Sequence, residues 1–279
     1  MVKINELTFA YKKHKDLFKQ LDLEIGYGKI HGLLGKNGAG KTTLLKLIAG
    51  LQYPQNGTIS IDQLSSVGRN PNYLSKYFFI AEELYLPSTT IEYYVKVYAP
   101  FYKDFDHTAF KNYLENFNIP QENKLNKMSY GQKKKFLLSF GLATNSKILF
   151  MDEPTNGLDI PSKSTFRKLI AENITENRAF IISTHQIKDI EGMIDTVIVL
   201  EDGKIMFNKT MEDIYKHLSF KTLNTTDNSQ DILFEQDNII NKKVITKNTT
   251  AEDTPIDIEL LFNAVISENQ KITEQFNTK

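Results

Sequence analysis

Hydrophobic and polar residues alternate along the first 34 positions with the two-residue period of half-buried strands. Three such runs, KINELTFAY, LFKQLDLEI and KIHGLLG, are separated by polar or glycine-containing breaks. A further strand pair is expected around Gly57, in TISIDQ, and KYFFIAEE has the apolar run of a buried strand. The pattern predicts an antiparallel sheet that leads into the segment after Leu34.

Aromatic residues at three- and four-residue spacing mark residues 91–128, where Pro100 and Pro120 interrupt the pattern. This spacing predicts a small helical insert. The later segments KILFMDE, AFIISTH and TVIVLEDGKIMF are continuous apolar strands with helices between them. Such runs are typical of a parallel sheet that is covered on both faces, so we expect an α/β fold.

From about Leu218 the polar segments TLNTTDNSQ and TKNTTAEDTP flank DILFEQDNIINKKVITK, and the amphipathic IDIELLFNAVI follows. We expect a short α+β accessory extension here, joined by loops, which serves either as a regulatory hairpin or as a packing extension. The predicted division is a main domain over 1–217, with a helical subdomain at about 84–143, and an extension over 218–279.

Composition bears on the partners and cofactors that the chain is expected to have. Lys+Arg and Asp+Glu both total 34, so no net charge draws the chain to nucleic acid, and we expect no nucleic-acid partner. The triple lysine at 133–135 lacks interleaved aromatics and is expected to be the exposed start of a helix. There is no cysteine, which excludes disulfides and thiolate metal sites and agrees with a reducing compartment.

The apolar runs bear on the membrane. The segment MVKINELTFAYKK lacks the uninterrupted apolar core of a signal peptide, so no export of the chain is expected. KILFM, AFIIS and TVIVL are far shorter than the roughly 20 residues that span a bilayer. We expect a cytoplasmic chain that reaches a membrane only through another chain.

The stretch GKNGAGKTT fits the phosphate-binding pattern G-x-x-x-x-G-K-S/T without a gap. Glycine lets successive backbone N–H groups point inward around a polyphosphate, Lys41 supplies a positive charge, and the Thr42 hydroxyl can ligate Mg²⁺. The segment therefore predicts a bound nucleoside triphosphate. The expected binding residues are Gly35, Lys36, Asn37, Gly38, Ala39, Gly40, Lys41, Thr42 and Thr43.

Two acids end the apolar run KILFMDE. A buried strand would deliver Asp152 to the Mg²⁺ at the carboxyl edge of the sheet, where α/β folds bind ligands. Glu153, one residue later, can act as the general base that polarises the attacking water. Together with the phosphate loop these acids predict a nucleotide-hydrolysing site.

The order of the remaining motifs resembles that of ATP-binding-cassette (ABC) ATPases over roughly residues 2–215. KMSYGQKKK lies between the two halves of the nucleotide site, and PTNGLD and ISTH follow the second half. The resemblance implies a P-loop ATPase of this fold with ATP and Mg²⁺ as cofactors. It also implies that Ser129, Gly131, Gln132 and Asp159 contact ATP held by a second protomer, that His185 contacts the γ-phosphate and orients the water, and that Tyr11 stacks on adenine.

Two positions depart from the family pattern. Tyr130 stands where the first glycine of the signature usually lies, and we expect activity to survive it. An acid, Glu82 or Glu83, replaces the usual glutamine after the KYFFI strand. Counting back from PSTTI favours Glu82, whose carboxylate can ligate Mg²⁺ as well as an amide can.

The resemblance implies an ATP-hydrolysing subunit that dimerises, we expect with a second copy of itself, around two MgATP and drives a separate membrane permease. The chain looks most like ATPases of ABC-2-type exporters, peripheral on the inner face of the cell membrane. Exposed aromatics would form the docking surface, although most of this set is expected to be core: Tyr85, Tyr93, Tyr94, Tyr98, Phe101 and Tyr102.

Two alternatives remain open at this point. One is a soluble ABC ATPase that acts as an assembly factor of the iron–sulfur type, whose signature also runs into lysines. The other is a catalytically silent nucleotide-binding regulator, suggested only by the acid in place of glutamine. The presence of Glu153 and His185 argues against the silent regulator.

Overall fold

Three β-sheets and the helices around them make up the part of the chain that this computed structural model describes, residues 1–12, 16–68, 70–122, 124–224, 231–237, 241–249 and 254–276. The strands are β1 Val2–Phe9, β2 Phe18–Ile25, β3 Lys29–Leu34, β4 Asn56–Ile61, β5 Leu64–Ser65, β6 Tyr77–Ile80, β7 Ile148–Asp152, β8 Ala179–Thr184, β9 Thr196–Glu201, β10 Lys204–Thr210, β11 Leu218–Asn224, β12 Ile232–Asp237 and β13 Asn241–Lys247. The helices are α1 Lys41–Ile48, α2 Pro71–Leu74, α3 Ile91–Tyr98, α4 His107–Asn116, α5 Tyr130–Ala143, α6 Ile160–Asn173, α7 Ile187–Ile190, α8 Met211–His217, α9 Ile258–Ser267 and α10 Asn269–Glu274, with 3-10 turns at Ala99–Phe101 and Leu125–Lys127.

The central sheet has six strands in the order β10-β9-β3-β8-β7-β6, and all neighbours except β10 and β9 are parallel. Every residue of β7 and β8 is buried, as the prediction of a sheet covered on both faces requires. The expectation that KIMF continues the parallel set is wrong. Asp202 and Gly203 both have positive φ, and such an Asp-Gly pair forms a tight hairpin that reverses the chain into β10.

A second sheet is antiparallel and has the order β2-β1-β4-β5. It contains the first two predicted strands and the strand pair around Gly57. The third predicted strand, KIHGLLG, does not continue it but lies in the central sheet as β3. The burial pattern gives the reason, because β1 and β2 mostly alternate buried and exposed residues whereas five consecutive residues of β3 are buried. A strand with that pattern needs cover on both faces.

The helical insert consists of α3 and α4, which pack beside α5 around a cluster of aromatic rings. Thr90 caps α3, and the Asp106 carboxylate caps α4 by accepting from two backbone N–H groups, both at 2.9 Å. Pro100 lies in the 3-10 turn after α3, and Pro120 lies after the end of α4. Pro100 thus lies where α3 stops, because a proline cannot continue the i to i−4 hydrogen bonds. α4 already ends at Asn116, and Asn118, with a φ of 52°, turns the chain before Pro120.

The residues after α8 form a third sheet, β11-β13-β12, followed by α9 and α10. The part of TLNTTDNSQ that is described, residues 222–224, belongs to β11, which pairs with β13, so the prediction of a polar loop is wrong there. Residues 225–230, 238–240 and 250–253 of the predicted extension lie outside the described residues. Leu261 and Val265 of α9 are buried in the same apolar core as Val197 and Phe207 of the central sheet. The extension therefore shares a core with the sheet.

This shared core predicts how the chain unfolds. Leu261→Ala should lower the free energy of unfolding by about 2–5 kcal/mol, because it removes a fully buried side chain and leaves a cavity. The measurement is urea unfolding followed by circular dichroism, with the exposed Lys271→Ala as control, which should change stability by less than about 0.5 kcal/mol. Two separate transitions, with the main one unmoved by Leu261→Ala, would contradict the shared core.

Candidate nucleotide-binding site

The phosphate loop connects the end of β3 to the start of α1. Gly40, the last loop residue, has a φ of 103°, and a Cβ there would lie 2.9 Å from the Phe18 ring. Only glycine fits both restrictions. No side chain caps the first N–H groups of α1 among the described residues, so these donors face the loop. Uncapped N–H groups at a helix N-terminus are suited to bind a phosphate.

The Lys41 side chain lies inside the curve of this loop. Its Nζ donates to the carbonyls of Gly35 at 2.8 Å and Lys36 at 3.2 Å. Burial lowers the pKa of Lys41, and the carboxylates of Glu153 and Asp152 oppose that shift. The ammonium is therefore surrounded by partial and full negative charge at the position where a phosphate would arrive.

A cavity of about 470 Å³ opens beside the loop. Glu82, the acid favoured by counting back from PSTTI, lines it, and Glu83 is not among the lining residues. The residues that line the cavity are Tyr11, Leu17, Asn37, Gly38, Gly40, Lys41, Thr42, Thr43, Glu82 and Glu153. Most of the predicted phosphate-loop residues thus meet Glu82, Glu153 and Tyr11 in one space, whereas Asp152 is not among the lining residues.

Tyr11 lies at the mouth of the cavity with its ring partly exposed. Its hydroxyl lies 2.9 Å from the Thr43 hydroxyl, and Gln52 donates to it at 3.4 Å. The edge contact with Phe9, at 5.1 Å between ring centroids, fixes the ring from one side. These contacts leave Tyr11 a surface on which a base can stack.

Asp152 ends β7 and is almost completely buried. Its Oδ1 accepts from the Ser183 hydroxyl at 2.5 Å, whereas its buried Oδ2 has no hydrogen-bond partner among the described residues. A buried carboxylate oxygen without a partner is costly unless a cation or ligand satisfies it. The donor set of Asp152, Thr42 and Glu82 offers only oxygens, which suits Mg²⁺. These residues therefore fit a magnesium ion.

Glu153 follows directly, and three donors hold its carboxylate. It accepts from the Thr184 hydroxyl at 3.0 Å, from the His185 backbone N–H at 3.0 Å and from His185 Nδ1 at 2.7 Å. A carboxylate can only accept, so Nδ1 carries a proton, and in the neutral form of the ring Nε2 is then the acceptor. The Glu153 φ of 45° is strained for a residue with a side chain, at a cost on the order of 1 kcal/mol. The site keeps this strain at the residue predicted to be the base.

The four residues predicted to contact a second protomer's ATP do not line this cavity. Ser129 and Gln132 form a capping box at the start of α5, with Gln132 N donating to Ser129 Oγ at 3.3 Å. Gly131 lies in the same turn. Asp159 caps α6, and the hydrogen bond from Ser162 lowers the pKa of Asp159. If these four residues bind a nucleotide, it is therefore not one held in this chain's own cavity.

One expectation about α5 is wrong. Of the three lysines at its start, Lys134 is completely buried, and its Nζ donates to the Ala81 carbonyl at 3.1 Å. The signal lies in the helical period, because Leu138 and Gly141 share the Lys134 face, and a Cβ on Gly141 would lie 2.8 Å from the Phe78 ring. The face of the helix on which each lysine lies, rather than its charge, decides which lysine of the run is buried.

Two polar links between loops carried no sequence signal. Asn156 Nδ2 donates to Glu82 Oε1 at 3.2 Å, and Gln186 Nε2 donates to Asn156 Oδ1 at 3.1 Å. Residues far apart in the chain meet here only because their strands are neighbours.

In the described part of the chain, no helix is both long enough and apolar enough to cross a membrane.

Comparisons with known proteins agree with this geometry. The sequence model of the ABC transporter family matches residues 18–156. The SkfA peptide export ATP-binding protein SkfE of Bacillus subtilis is 30% identical over 221 residues, which cover 77% of this chain and 89% of SkfE. The ABC transporter ATP-binding protein YtrB of Bacillus subtilis is 28% identical over 207 residues, which cover 74% of this chain and 70% of YtrB.

Solved structures share the fold. An ATP-binding subunit of an ABC transporter superposes with a TM-score of 0.70 at 23% identity, over 77% of this chain and 91% of that one. A dimeric ATP-binding cassette in a post-hydrolysis state, bound to ADP and Pi, superposes with a TM-score of 0.66 at 23% identity, over 76% of this chain and 99% of that one. The predicted α/β ATPase fold is thereby confirmed, and the match to the ABC transporter family confirms the predicted cofactors, ATP and Mg²⁺. The chain belongs to the ABC transporter family, in which it is the ATP-binding and ATP-hydrolysing subunit.

Proposed function

We propose that the cavity beside the phosphate loop binds MgATP and that its residues divide the work as follows. The uncapped N–H groups of α1 and the Lys41 ammonium bind the phosphates, and Tyr11 stacks on the base. Thr42, Asp152 and Glu82 hold Mg²⁺, which when bound neutralises charge on the phosphate oxygens. The observation that carries the proposal is that Lys41, Thr42, Glu82 and Glu153 line one cavity. Asp152, the residue directly before Glu153, has a buried Oδ2 without a partner among the described residues, and its charge acts on Lys41 together with that of Glu153.

Glu153 activates the water in this scheme. A carboxylate has about four acceptor sites, and three are taken by Thr184 and His185, so one remains for a water O–H. Glu153 takes the proton as the water oxygen bonds to the γ-phosphorus, and the bond to the β–γ bridging oxygen breaks to leave ADP and phosphate. His185 holds the carboxylate in place through Nδ1–H and presents Nε2 toward solvent and the arriving nucleotide.

The second nucleotide contact comes from a partner cassette. Relatives in this family work as dimers with membrane permeases in general. Ser129, Gly131, Gln132 and Asp159 lie away from this chain's own cavity, which supports a head-to-tail dimer in which they close on the partner's ATP. We infer that the partner is a second copy of this chain, because one chain carries both halves of the site.

The same dimer would power a separate membrane permease from the inner face of the cell membrane, where the chain is peripheral. We infer export rather than import. The support is the resemblance to ABC-2-type exporter ATPases and the 30% identity to a protein whose name assigns it to peptide export. No nucleic-acid partner enters the proposal.

Removing the proposed base tests the mechanism. Glu153→Gln should bind ATP and accumulate as a dimer but turn over at least about a hundredfold more slowly, because Asp152 and Lys41 remain while the proton acceptor is lost. Phosphate release measures turnover, and size-exclusion chromatography with ATP measures the dimer. Glu83→Gln, on an acid outside the cavity, is the matched control and should leave both unchanged. Turnover of Glu153→Gln within about threefold of wild type would remove Glu153 from the mechanism.

The acid at position 82 is tested through the metal. Glu82→Ala should weaken the Mg²⁺ dependence of ATP hydrolysis more than it weakens ATP affinity, because a carboxylate ligand stabilises the cation directly. Glu83→Ala should leave the Mg²⁺ titration at the wild-type midpoint. A titration shifted by Glu83→Ala and not by Glu82→Ala would place the functional acid one residue later.

Aromatic side chains near the helical insert support a membrane partner. Tyr85 is 95% exposed, Phe101 is 69% exposed, and Tyr93 and Tyr98 are also exposed. Tyr94 is buried, and Tyr102 is partly buried against the core. The expectation that most of the six are core is therefore wrong. Large exposed apolar side chains are typical of protein interfaces.

Capture from detergent-solubilised membranes tests the permease. We expect the wild-type chain to retrieve a protein with several membrane-spanning helices, and we expect Tyr85→Ser combined with Phe101→Ser to lose it while ATP binding is unchanged. Tyr53→Ser, which also removes an exposed aromatic, is the control and should retain the partner. Recovery of soluble partners only would favour the assembly-factor alternative instead.

A further inference from the structure

The ammonium of Lys134 lies where three main-chain oxygens of the nucleotide site come together. It donates to the Ala81 carbonyl at 3.1 Å and lies 3.5 Å from the carbonyls of Glu82 and Asp152. The first contact is a hydrogen bond, and the other two are longer contacts between a charge and a dipole. The side chain has no exposed surface, so desolvation disfavours its charge and lowers its pKa to about 8. Carbonyl oxygens and nearby carboxylates oppose that penalty.

Tyr130, one turn earlier in α5, adds a second link to the same segment. Its hydroxyl donates to the Glu82 carbonyl at 2.7 Å. Its ring lies against Gly157, where a Cβ would come within 2.4 Å of the ring, and Lys134 Nζ lies 5.7 Å from the ring centroid. A glycine at position 130 would offer neither the hydroxyl nor the ring.

Both links act on main chain that leads into the proposed metal site. Ala81 and Glu82 follow the end of β6, Asp152 ends β7, and the two strands are parallel neighbours. Glu82 lines the ATP cavity, and the Oδ2 of Asp152 is buried without a partner. The direction in which each carboxylate points depends on how its backbone is held, and α5 holds both backbones.

We propose that Lys134 and Tyr130 are positioning residues for Mg²⁺: from the first turns of α5 they fix the main chain at Glu82 and Asp152 so that the two carboxylates converge on the ion. This inference rests on the proposed role of Glu82 and Asp152 as metal ligands. Neither Lys134 nor Tyr130 contacts the ion itself. Residues that orient metal ligands in this way typically contribute ten- to hundredfold to metal affinity or activity.

The test measures ATP binding by titration calorimetry in a Glu153→Gln background, so that hydrolysis does not intervene. Each variant is titrated with ATP in EDTA and then over a series of MgCl₂ concentrations. Lys134→Met should raise the Mg²⁺ concentration for half-maximal tightening about tenfold or more, with ATP affinity in EDTA unchanged within about twofold. Lys134→Arg, which keeps the charge and the donors, should recover most of the shift. Lys133→Met makes the same change at the neighbouring, half-buried lysine and should titrate like wild type.

Tyr130→Phe tests the second link and removes only one hydroxyl from a partly exposed ring, so it carries the test if Lys134→Met does not fold. It should raise the Mg²⁺ midpoint by about threefold or more, on the scale of one lost hydrogen bond. A Mg²⁺ midpoint at the wild-type value in Tyr130→Phe, or in a folded Lys134→Met, would overturn the proposal.

Two ligand variants separate this inference from the proposed function. Asp152→Asn and Glu82→Ala should each weaken the Mg²⁺ dependence. If they do so while Lys134→Met and Tyr130→Phe titrate like wild type, the positioning role fails and the metal site stands. If Asp152→Asn and Glu82→Ala also titrate like wild type, the proposed metal site itself is wrong and the positioning role fails with it.

Discussion

The nucleotide site depends on the parallel pairing of β3, β8 and β7. The register places Leu34 beside Thr184 and Asp152 beside Ser183, so the phosphate loop and the two acids leave the sheet at the same edge. Hydrogen bonds from Ser183 and Thr184 to Asp152 and Glu153 then join the ends of neighbouring strands. A shift of one residue in either pairing would turn these side chains to the opposite face of the sheet and separate the acids from the loop.

Among the described residues, three buried cationic side chains form their hydrogen bonds with carbonyl oxygens rather than with carboxylates. Lys41 and Lys134 donate to carbonyl oxygens, and the buried Arg178 donates to the carbonyls of Leu142, Ser146 and Asn173. Leu142 and Asn173 lie at the ends of α5 and α6, where the last carbonyls have no partner within the helix. Cationic side chains at such positions donate to carbonyls that would otherwise be buried without a donor. They therefore connect secondary-structure elements through main-chain acceptors rather than through ion pairs between side chains.

Local sequence was enough to predict the parts of the site that one segment forms. The phosphate loop and the strand that ends in Asp152 and Glu153 each have all their determinants within about ten residues. Alternation alone could not predict that β3 belongs to the central sheet. The decisive property is that both faces of β3 are covered, and helices distant in sequence provide that cover. β10 could have been predicted from Asp202 and Gly203, whose dipeptide is a hairpin signal.

Other features depend on distant pairings that one sequence does not reveal. The hydrogen bond between His185 and Glu153 joins residues 32 positions apart, and the contact of Lys134 with Ala81 joins residues 53 positions apart. Lys134 also shows the limit of reasoning from charge, because three adjacent lysines differ only in the direction that the helix gives them. The predicted α+β extension is present, but the loop expected at residues 222–224 is a strand, because β13 pairs with the polar Thr222 and Asn224.

The contacts that fix the start of α5 have a consequence for the proposed dimer. Ser129 caps this helix on the side proposed to face the partner's nucleotide, while Tyr130 and Lys134 in the same turns bind main chain of the chain's own proposed metal site. A ligand that favours one orientation of α5 therefore acts on both sites. If the metal on one subunit changes the affinity of that subunit's Ser129 and Gly131 for the other subunit's ATP by some factor, that ATP must change the metal affinity by the same factor. The first turns of α5 would thus couple metal binding in one subunit to ATP binding in the other, in both directions.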